Sequence, residues 1–312
     1  MVRWLWIAVA CCALGCGDEI RDEESGGAMS TLPTSIGSST GGDSTSGSNP
    51  TQDESSSGFV FDVGGATAPT TSDPDTAGEV CEQDIDVVFV MDVSTTMGPF
   101  LGTLADQMLG VDQAIAALDL PSPPQYGLVV FVDDFALLGE GQPYADAAAL
   151  QADFQMWSDF TSSNSQVSGT GSNSTWPENS LDALYTAATA YAWRPAESTL
   201  RIIIHTTDDT FSEGPSVVNG INVQRDYPST VQALQDQQIR VFSFTADIGG
   251  SCSCEDVSPG WSTPYQGQTA IPQATDGARF DIDQVLGGML DLSEAINTSI
   301  EGAVCDPYEP VG

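Results

Sequence analysis

Between Cys81 and Cys305, short unbroken apolar runs alternate with stretches in which apolar side chains return every three or four residues. The runs at 87–91 (Val-Val-Phe-Val-Met), 128–132 (Leu-Val-Val-Phe-Val), 202–204 (Ile-Ile-Ile) and 241–244 (Val-Phe-Ser-Phe) predict buried strands. Leu101, Leu104, Met108, Val111, Ile115 and Leu118 form the apolar stripe of an amphipathic helix, and further helices are predicted near 181–193, 229–237 and 289–303. Residues 135–138 are expected to return as a short antiparallel edge strand. The alternation predicts an α/β fold: an open, doubly wound, mostly parallel sheet with helices on both faces, Rossmann-like, whose sites lie at the carboxyl ends of its strands.

Upstream of residue 81 the pattern changes. From Ser25 to about Val80 the chain is dominated by Ser, Thr, Gly and Pro, with too little apolar surface to offset the entropy of ordering, so residues 16–80 are expected to be a disordered linker. At about 5–6 Å times the square root of length, such a linker reaches roughly 45 Å. Phe59-Val60-Phe61-Asp62-Val63 is its one apolar knot, expected to be a sticky segment or a transient dock. Arg3 followed by the apolar run 4–14 has the charged start and short core of an export signal, well below the roughly 20 residues needed to span a bilayer. The run closes on Ala13-Leu14-Gly15-Cys16, which resembles the bacterial lipobox, with Ala13 where leucine is usual. The expected organisation is a signal peptide over 1–15, lipidation at Cys16, the linker, a folded domain over 81–305 and a tail over 306–312. Gly17 after Cys16, in place of Asp, points by the enterobacterial rule to the outer membrane.

Charge narrows the function classes. The seven basic residues are all arginine, against 44 acids, for a formal charge of −37. With no basic patch the chain cannot displace counterions from a phosphate backbone, so nucleic acid is excluded as a partner, and membrane contact is expected through the lipid anchor only. A single histidine, His205, rules out a zinc centre built on two imidazoles.

Candidate chemistry follows the predicted strands. The first ends in Asp92-Val93-Ser94-Thr95-Thr96-Met97, where alternation aims Asp92, Ser94 and Thr96 the same way with hard oxygen donors that favour Mg²⁺, Ca²⁺ or Mn²⁺. Alone, these residues read more often as plain helix caps than as ligands. The strand at 202–204 ends in His205-Thr206-Thr207-Asp208-Asp209, and Asn173-Ser174-Thr175-Trp176-Pro177-Glu178 precedes the helix carrying Leu181. Three loops at one rim thus supply oxygens.

Here the chain resembles the von Willebrand factor type A (VWA) domain over about 225 residues. That family's metal-ion-dependent adhesion site combines D-x-S-x-S, a Thr or Glu from a second loop and an Asp after a later strand. The site variant is similar to the integrin beta-chain domain, with N-x-D-x-P-E in the second loop and T-T-D in the third. The resemblance implies that Asp92, Ser94, Thr96, Glu178 and Asp208 hold one divalent cation, with Thr175 and Asp209 as alternative ligands. Thr175 stands where the variant has the Asp of a supporting second ion, which leaves that ion in doubt. Gly98-Pro99-Phe100 replaces the acidic pair of a third.

Other conspicuous residues have plainer expectations. His205 is expected to be a packed, hydrogen-bonded core residue, Asp133-Asp134 a solvated loop near the same rim, and Trp157, Trp176 and Tyr144 core or loop packing residues, with covering a ligand surface as their alternative role. Of the cysteines remaining after export, Cys81 and Cys305 flank the domain and are expected to pair, closing a loop worth about 5 kcal/mol at most. Cys252 and Cys254 would pair with each other or stay reduced. The function expected is that of a cell-envelope lipoprotein binding a protein or glycan ligand, whose acidic group completes the metal's shell. The alternatives are a metal-free structural or assembly module and, more distantly, a metal-assisted hydrolase; no enzyme is expected, because no base stands near Ser94 and no G-x-S-x-G turn surrounds it.

Overall fold

The computed structural model describes residues 82–249 and 255–311. The expected signal peptide, lipidation site Cys16, linker, Cys81, Cys252 and Cys254 lie outside them. The elements in chain order are β1 (Asp84–Asp92), α1 (Gly98–Ala116), β2 (Gln125–Phe131), β3 (Phe135–Leu137), α2 (Ala147–Phe160), α3 (Ser180–Ala190), β4 (Thr199–Thr207), β5 (Ser216–Val218), β6 (Ile221–Val223), α4 (Tyr227–Asp236), β7 (Ile239–Thr245), α5 (Ile271–Ala274), β8 (Arg279–Asp281), α6 (Ile282–Leu286) and α7 (Leu292–Ala303).

Six strands form one sheet in the order β3-β2-β1-β4-β7-β8, parallel throughout except for the edge pair β2–β3. The unbroken apolar runs are explained by burial on both faces. Val87, Phe89 and Met91 of β1 pack with Leu101, Leu104 and Met108 of α1, Phe154 of α2 and Ile296 of α7. Val88 and Val90, one residue out of phase, pack with Leu181 and Leu184 of α3 and Leu234 of α4. The result is the expected α/β sheet with helices on both faces. Each fully buried Phe or Leu contributes roughly 1.5–3 kcal/mol.

Where boundaries differ from expectation, local hydrogen bonds explain it. The helix expected to reach 193 stops at Ala190, because Ala192 donates its amide to Gly141 O at 2.9 Å. The helix expected from 289 starts at Leu292, where the Asp291 carboxylate accepts the Glu294 amide at 2.9 Å as a cap, leaving Met289 exposed. Several elements were not anticipated, α2 and the β5–β6 hairpin among them. α2 buries only Ala147, Leu150, Phe154 and Trp157, a sparse stripe in a polar segment. The β5–β6 hairpin turns on Asn219-Gly220, whose φ values of 47° and 82° are those of a two-residue primed turn.

The amino ends of the strands carry three of the arginines. Arg194 pairs with Asp86 at 2.6 Å and Asp84 at 3.2 Å. Arg201 donates to the carbonyls of Arg194 and Gln237, and Arg240 pairs with Asp276 at 2.9 Å. Arg240 also donates to the carbonyls of Asp306 and Pro307, which holds the 306–311 segment against the domain. Cys305 is disulfide-bonded, and its amide donates to Gln83 Oε1 at 3.0 Å.

Candidate functional site

Strand order reverses between β1 and β4: the chain leaves β1 towards β2 and β3 and returns on the other side. A crevice opens at such a switch point, at the carboxyl ends of the two strands. Register places Met91 opposite Thr206, so Asp92 and the loop after Thr207 meet there.

Asp92 is fully buried. Its Oδ1 accepts the Ser94 amide at 2.7 Å, and its Oδ2 accepts the Thr207 hydroxyl at 2.7 Å. The first of these bonds forms the tight turn that brings Ser94 and Thr96 to the rim, their hydroxyl oxygens 3.3 Å apart. Thr96 donates onward to Asp208 Oδ1 at 2.9 Å. Asp92, Ser94, Thr96 and Asp208 are therefore brought into one network by β1, β4 and the turn before α1. Gly98, the second residue of that turn's exit, has no room for a side chain: a Cβ would stand 2.7 Å from Thr161 Oγ1, so α1 begins pressed against the end of α2.

Glu178 comes from the segment before α3, pinned when its amide donates to Thr210 O at 3.0 Å and its carbonyl accepts the Ser212 amide at 2.8 Å. Its Oε1 accepts Asn173 Nδ2 at 3.1 Å, while Glu178 Oε2 and Asn173 Oδ1 are buried without a partner. Both residues line a cleft of about 330 Å³ with Ser94, Thr96, Thr175, Trp176, Asp208 and Asp209. A buried unpaired carboxylate oxygen costs several kcal/mol unless something neutralises it.

Electrostatics express that cost. Burial, and then the neighbouring Asp208, pushes the Asp92 carboxyl up to about 7. Burial, and then Asp92, pushes Glu178 up to about 10, and burial lifts Asp209 to about 6 and Asp208 above the usual carboxylate range. Among the described residues no arginine pairs with any of these four acids. A divalent cation fits this donor set: hard oxygens, one of them orphaned, with no competing positive charge. Among the described residues no three His, Cys, Asp or Glu side chains lie close enough to hold a metal by themselves, so the hydroxyls of Ser94 and Thr96 would have to be part of the shell.

The alternative ligands divide. Asp209 lines the cleft, its Oδ1 accepting the Thr210 amide. Thr175 also lines it, but its hydroxyl is donated to Asp133 Oδ1. Asp133 is not the solvated loop residue expected of it. It is buried, and its Oδ2 accepts Asn219 Nδ2 at 2.6 Å, tying the β5–β6 hairpin to the cleft wall. Asp134 is buried as well, accepting the amides of Val167 and Ser168. Acids that serve as anchors for loop amides look, in sequence, like acids facing water. Thr207 and Asn219 were missed for a similar reason, although Asn219-Gly220 between apolar residues was a readable turn signal.

His205 is the packed core residue expected. Its Nδ1 lies 3.2 Å from Ser243 Oγ, and its ring stacks on Phe131 and tilts against Trp261. Burial holds it neutral, down to about 3. Trp157 is buried, and Tyr144 donates to Asp153 Oδ2 at 2.5 Å, as packing residues do. Trp176 departs from its expectation: it is 48% exposed at the cleft wall.

No family model and no curated protein matches the chain. Solved structures do show likeness. An aerotolerance-related membrane protein from Bacteroides fragilis, carrying multiple mutations to serines, is 14% identical over 70% of this chain and 99% of its own, with a TM-score of 0.41. Proximal thread matrix protein 1 from the mussel byssus is 13% identical over 74% of this chain, with a TM-score of 0.41. Its form with a zinc-occupied MIDAS motif is 13% identical over 69%, with a TM-score of 0.37. The match spans less than half of the mussel protein, 48% and 46% in the two forms. All three scores lie below 0.5, too low for these likenesses to bear on the site's chemistry.

Proposed function

We propose that this chain is a cell-envelope lipoprotein of the VWA type that holds a protein or glycan ligand through one divalent cation. The ion would be Mg²⁺, Ca²⁺ or Mn²⁺, held by Asp92, Ser94, Thr96, Glu178 and Asp208. The observation that carries the reading is the orphaned Glu178 Oε2 in the same cleft as the Ser94–Thr96–Asp208 network. Bound there, the ion would supply a positive charge at the mouth of an otherwise acidic cleft, with room for an acidic group of a partner. Asp92 orients the turn, Thr207 orients Asp92, and Asn173 orients Glu178. Ser94 is a ligand in this reading and not a nucleophile. Its hydroxyl neighbour is Thr96, and the imidazole of His205 is engaged with Ser243 inside the core. Calcium and magnesium titrated calorimetrically into wild type and Asp92→Ala test the reading: saturable binding in wild type and its loss in the variant are expected, and equal heats in both would refute it.

The metal-free assembly module has one observation in its favour: both Asp92 oxygens already accept hydrogen bonds from the protein. It predicts no ion binding in either protein. For the lipid anchor, among the described residues no helix is long and apolar enough to cross a membrane. Cys16→Ala should release the chain from the membrane fraction or leave its leader uncleaved; continued membrane fractionation with normal processing would mean another anchor.

A further inference from the structure

We propose that the cleft selects a sugar residue bearing a carboxylate, presented on an otherwise neutral glycan; this rests on the ion-binding reading above. The ion would take the carboxylate, and the walls decide what surrounds it. Three side-chain donors of the cleft are already engaged: one Asn173 Nδ2 hydrogen on Glu178, the Thr96 hydroxyl on Asp208 and the Thr175 hydroxyl on Asp133. Two acceptors beside them stay open. Asn173 Oδ1 is buried and unpartnered, and Thr175 keeps lone pairs after donating its proton. No arginine lines the cleft, and the chain has no lysine. A ligand that satisfies these acceptors brings hydrogen-bond donors close to its carboxylate. A carboxylated pyranose does so with its ring hydroxyls, whereas a peptide brings about one amide per residue.

Two further features fit the same ligand. Trp176 stands half exposed on the wall, an amphipathic ring on which the apolar face of a pyranose can lie. The region from Glu82 to Val311 carries 32 acids against 5 arginines, so 5 − 32 leaves about −27, and a polyanion bearing a carboxylate on every unit would be repelled outside the ion. An isolated carboxylate on a neutral chain avoids that repulsion.

The test is calorimetry on the whole chain with magnesium present, using sialyllactose as the single-carboxylate probe, lactose and the sialyllactose methyl ester as uncharged controls, and a short peptide with one Asp as the competing class. Sialyllactose should bind and both uncharged sugars should not. Trp176→Ala should weaken the sugar at least about tenfold while leaving magnesium affinity unchanged, and Trp176→Tyr should restore most of it. Tighter binding of the peptide than of the sugar, or a Trp176→Ala variant that binds the sugar like wild type, overturns the proposal. Magnesium binding without any sugar binding overturns it too, and leaves the ion site standing. Absence of magnesium binding in wild type sinks the ion site and this inference together.

Discussion

The two ends of the sheet treat buried charge in opposite ways. At the amino ends of the strands Asp86 is as inaccessible as Asp92, yet it meets the Arg194 guanidinium at 2.6 Å. At the carboxyl ends Glu178, Asp208 and Asp209 line a cleft of hydroxyls and amides with no guanidinium, and the buried Asp92 accepts the Thr207 hydroxyl. With only five arginines in the folded region, three of them at the amino ends of β1, β4 and β7 and Arg279 holding Asp247 just past the carboxyl end of β7, the chain pairs the buried acid of one rim internally and leaves the acids of the cleft at the other without a guanidinium. One rim serves the fold. The other stores a deficit of positive charge that a ligand can fill.

That contrast is broken most severely at the internally paired rim. Arg194→Ala strands a fully buried Asp86 and should lower unfolding free energy by about 3–5 kcal/mol, read from urea denaturation, without altering ion affinity. A loss below about 1 kcal/mol would mean that the pair is effectively solvated.

A smaller effect appears on the pH axis. The Asp92 and Glu178 carboxyls are raised in the fold, so their protonated forms favour folding below the unfolded values near 4. That contribution is lost as pH rises through about 7 and about 10. His205 runs the other way. Its folded value is depressed to about 3, so its contribution is present above the unfolded value of about 6.5 and is lost as pH falls towards 3. In chelator, melting temperature should therefore peak in mild acid and fall on the alkaline side; excess magnesium should flatten the alkaline limb and leave the acid limb unchanged. His205→Gln should flatten the acid limb alone. An alkaline limb indifferent to magnesium would separate the carboxylates from the ion.

The smallest effect concerns the wall. Asn219→Ala removes one charge-assisted hydrogen bond to Asp133 and one to Ser172 O, and should cost about 1–2 kcal/mol while weakening ion affinity only a few-fold. Protease cleavage within the β5–β6 hairpin should quicken. Unchanged cleavage would show that the hairpin is held elsewhere.

The fold was legible because its strands are buried on both faces, so runs such as 202–204 announce themselves without help from context. β5, β6 and β8 were not, since three-residue strands carry no period. Asp92, Ser94, Thr96 and Asp208 were legible because position at a strand end and alternation suffice to aim them. Glu178 needed the family resemblance, since its place depends on backbone bonds to Thr210 and Ser212, which are about thirty residues away. Asp133 could not be read at all: whether an acid faces water or a threonine hydroxyl is decided by a hairpin some eighty residues downstream.

The contrast between the rims rests on the carboxyl rim binding a divalent ion specifically, and thermal melts of wild type and Asp92→Ala separate this from general screening. With about −27 on the folded region, sodium chloride should raise the melting temperature gradually in both proteins as the Debye length shrinks from about 30 Å at 0.01 M to about 10 Å at 0.1 M. Calcium or magnesium at a hundredfold excess over Kd should add about 2.7 kcal/mol, saturably and in wild type alone. An equal divalent response in both proteins would mean that the ions only screen the surface, and that the acids of the carboxyl rim wait for no ion.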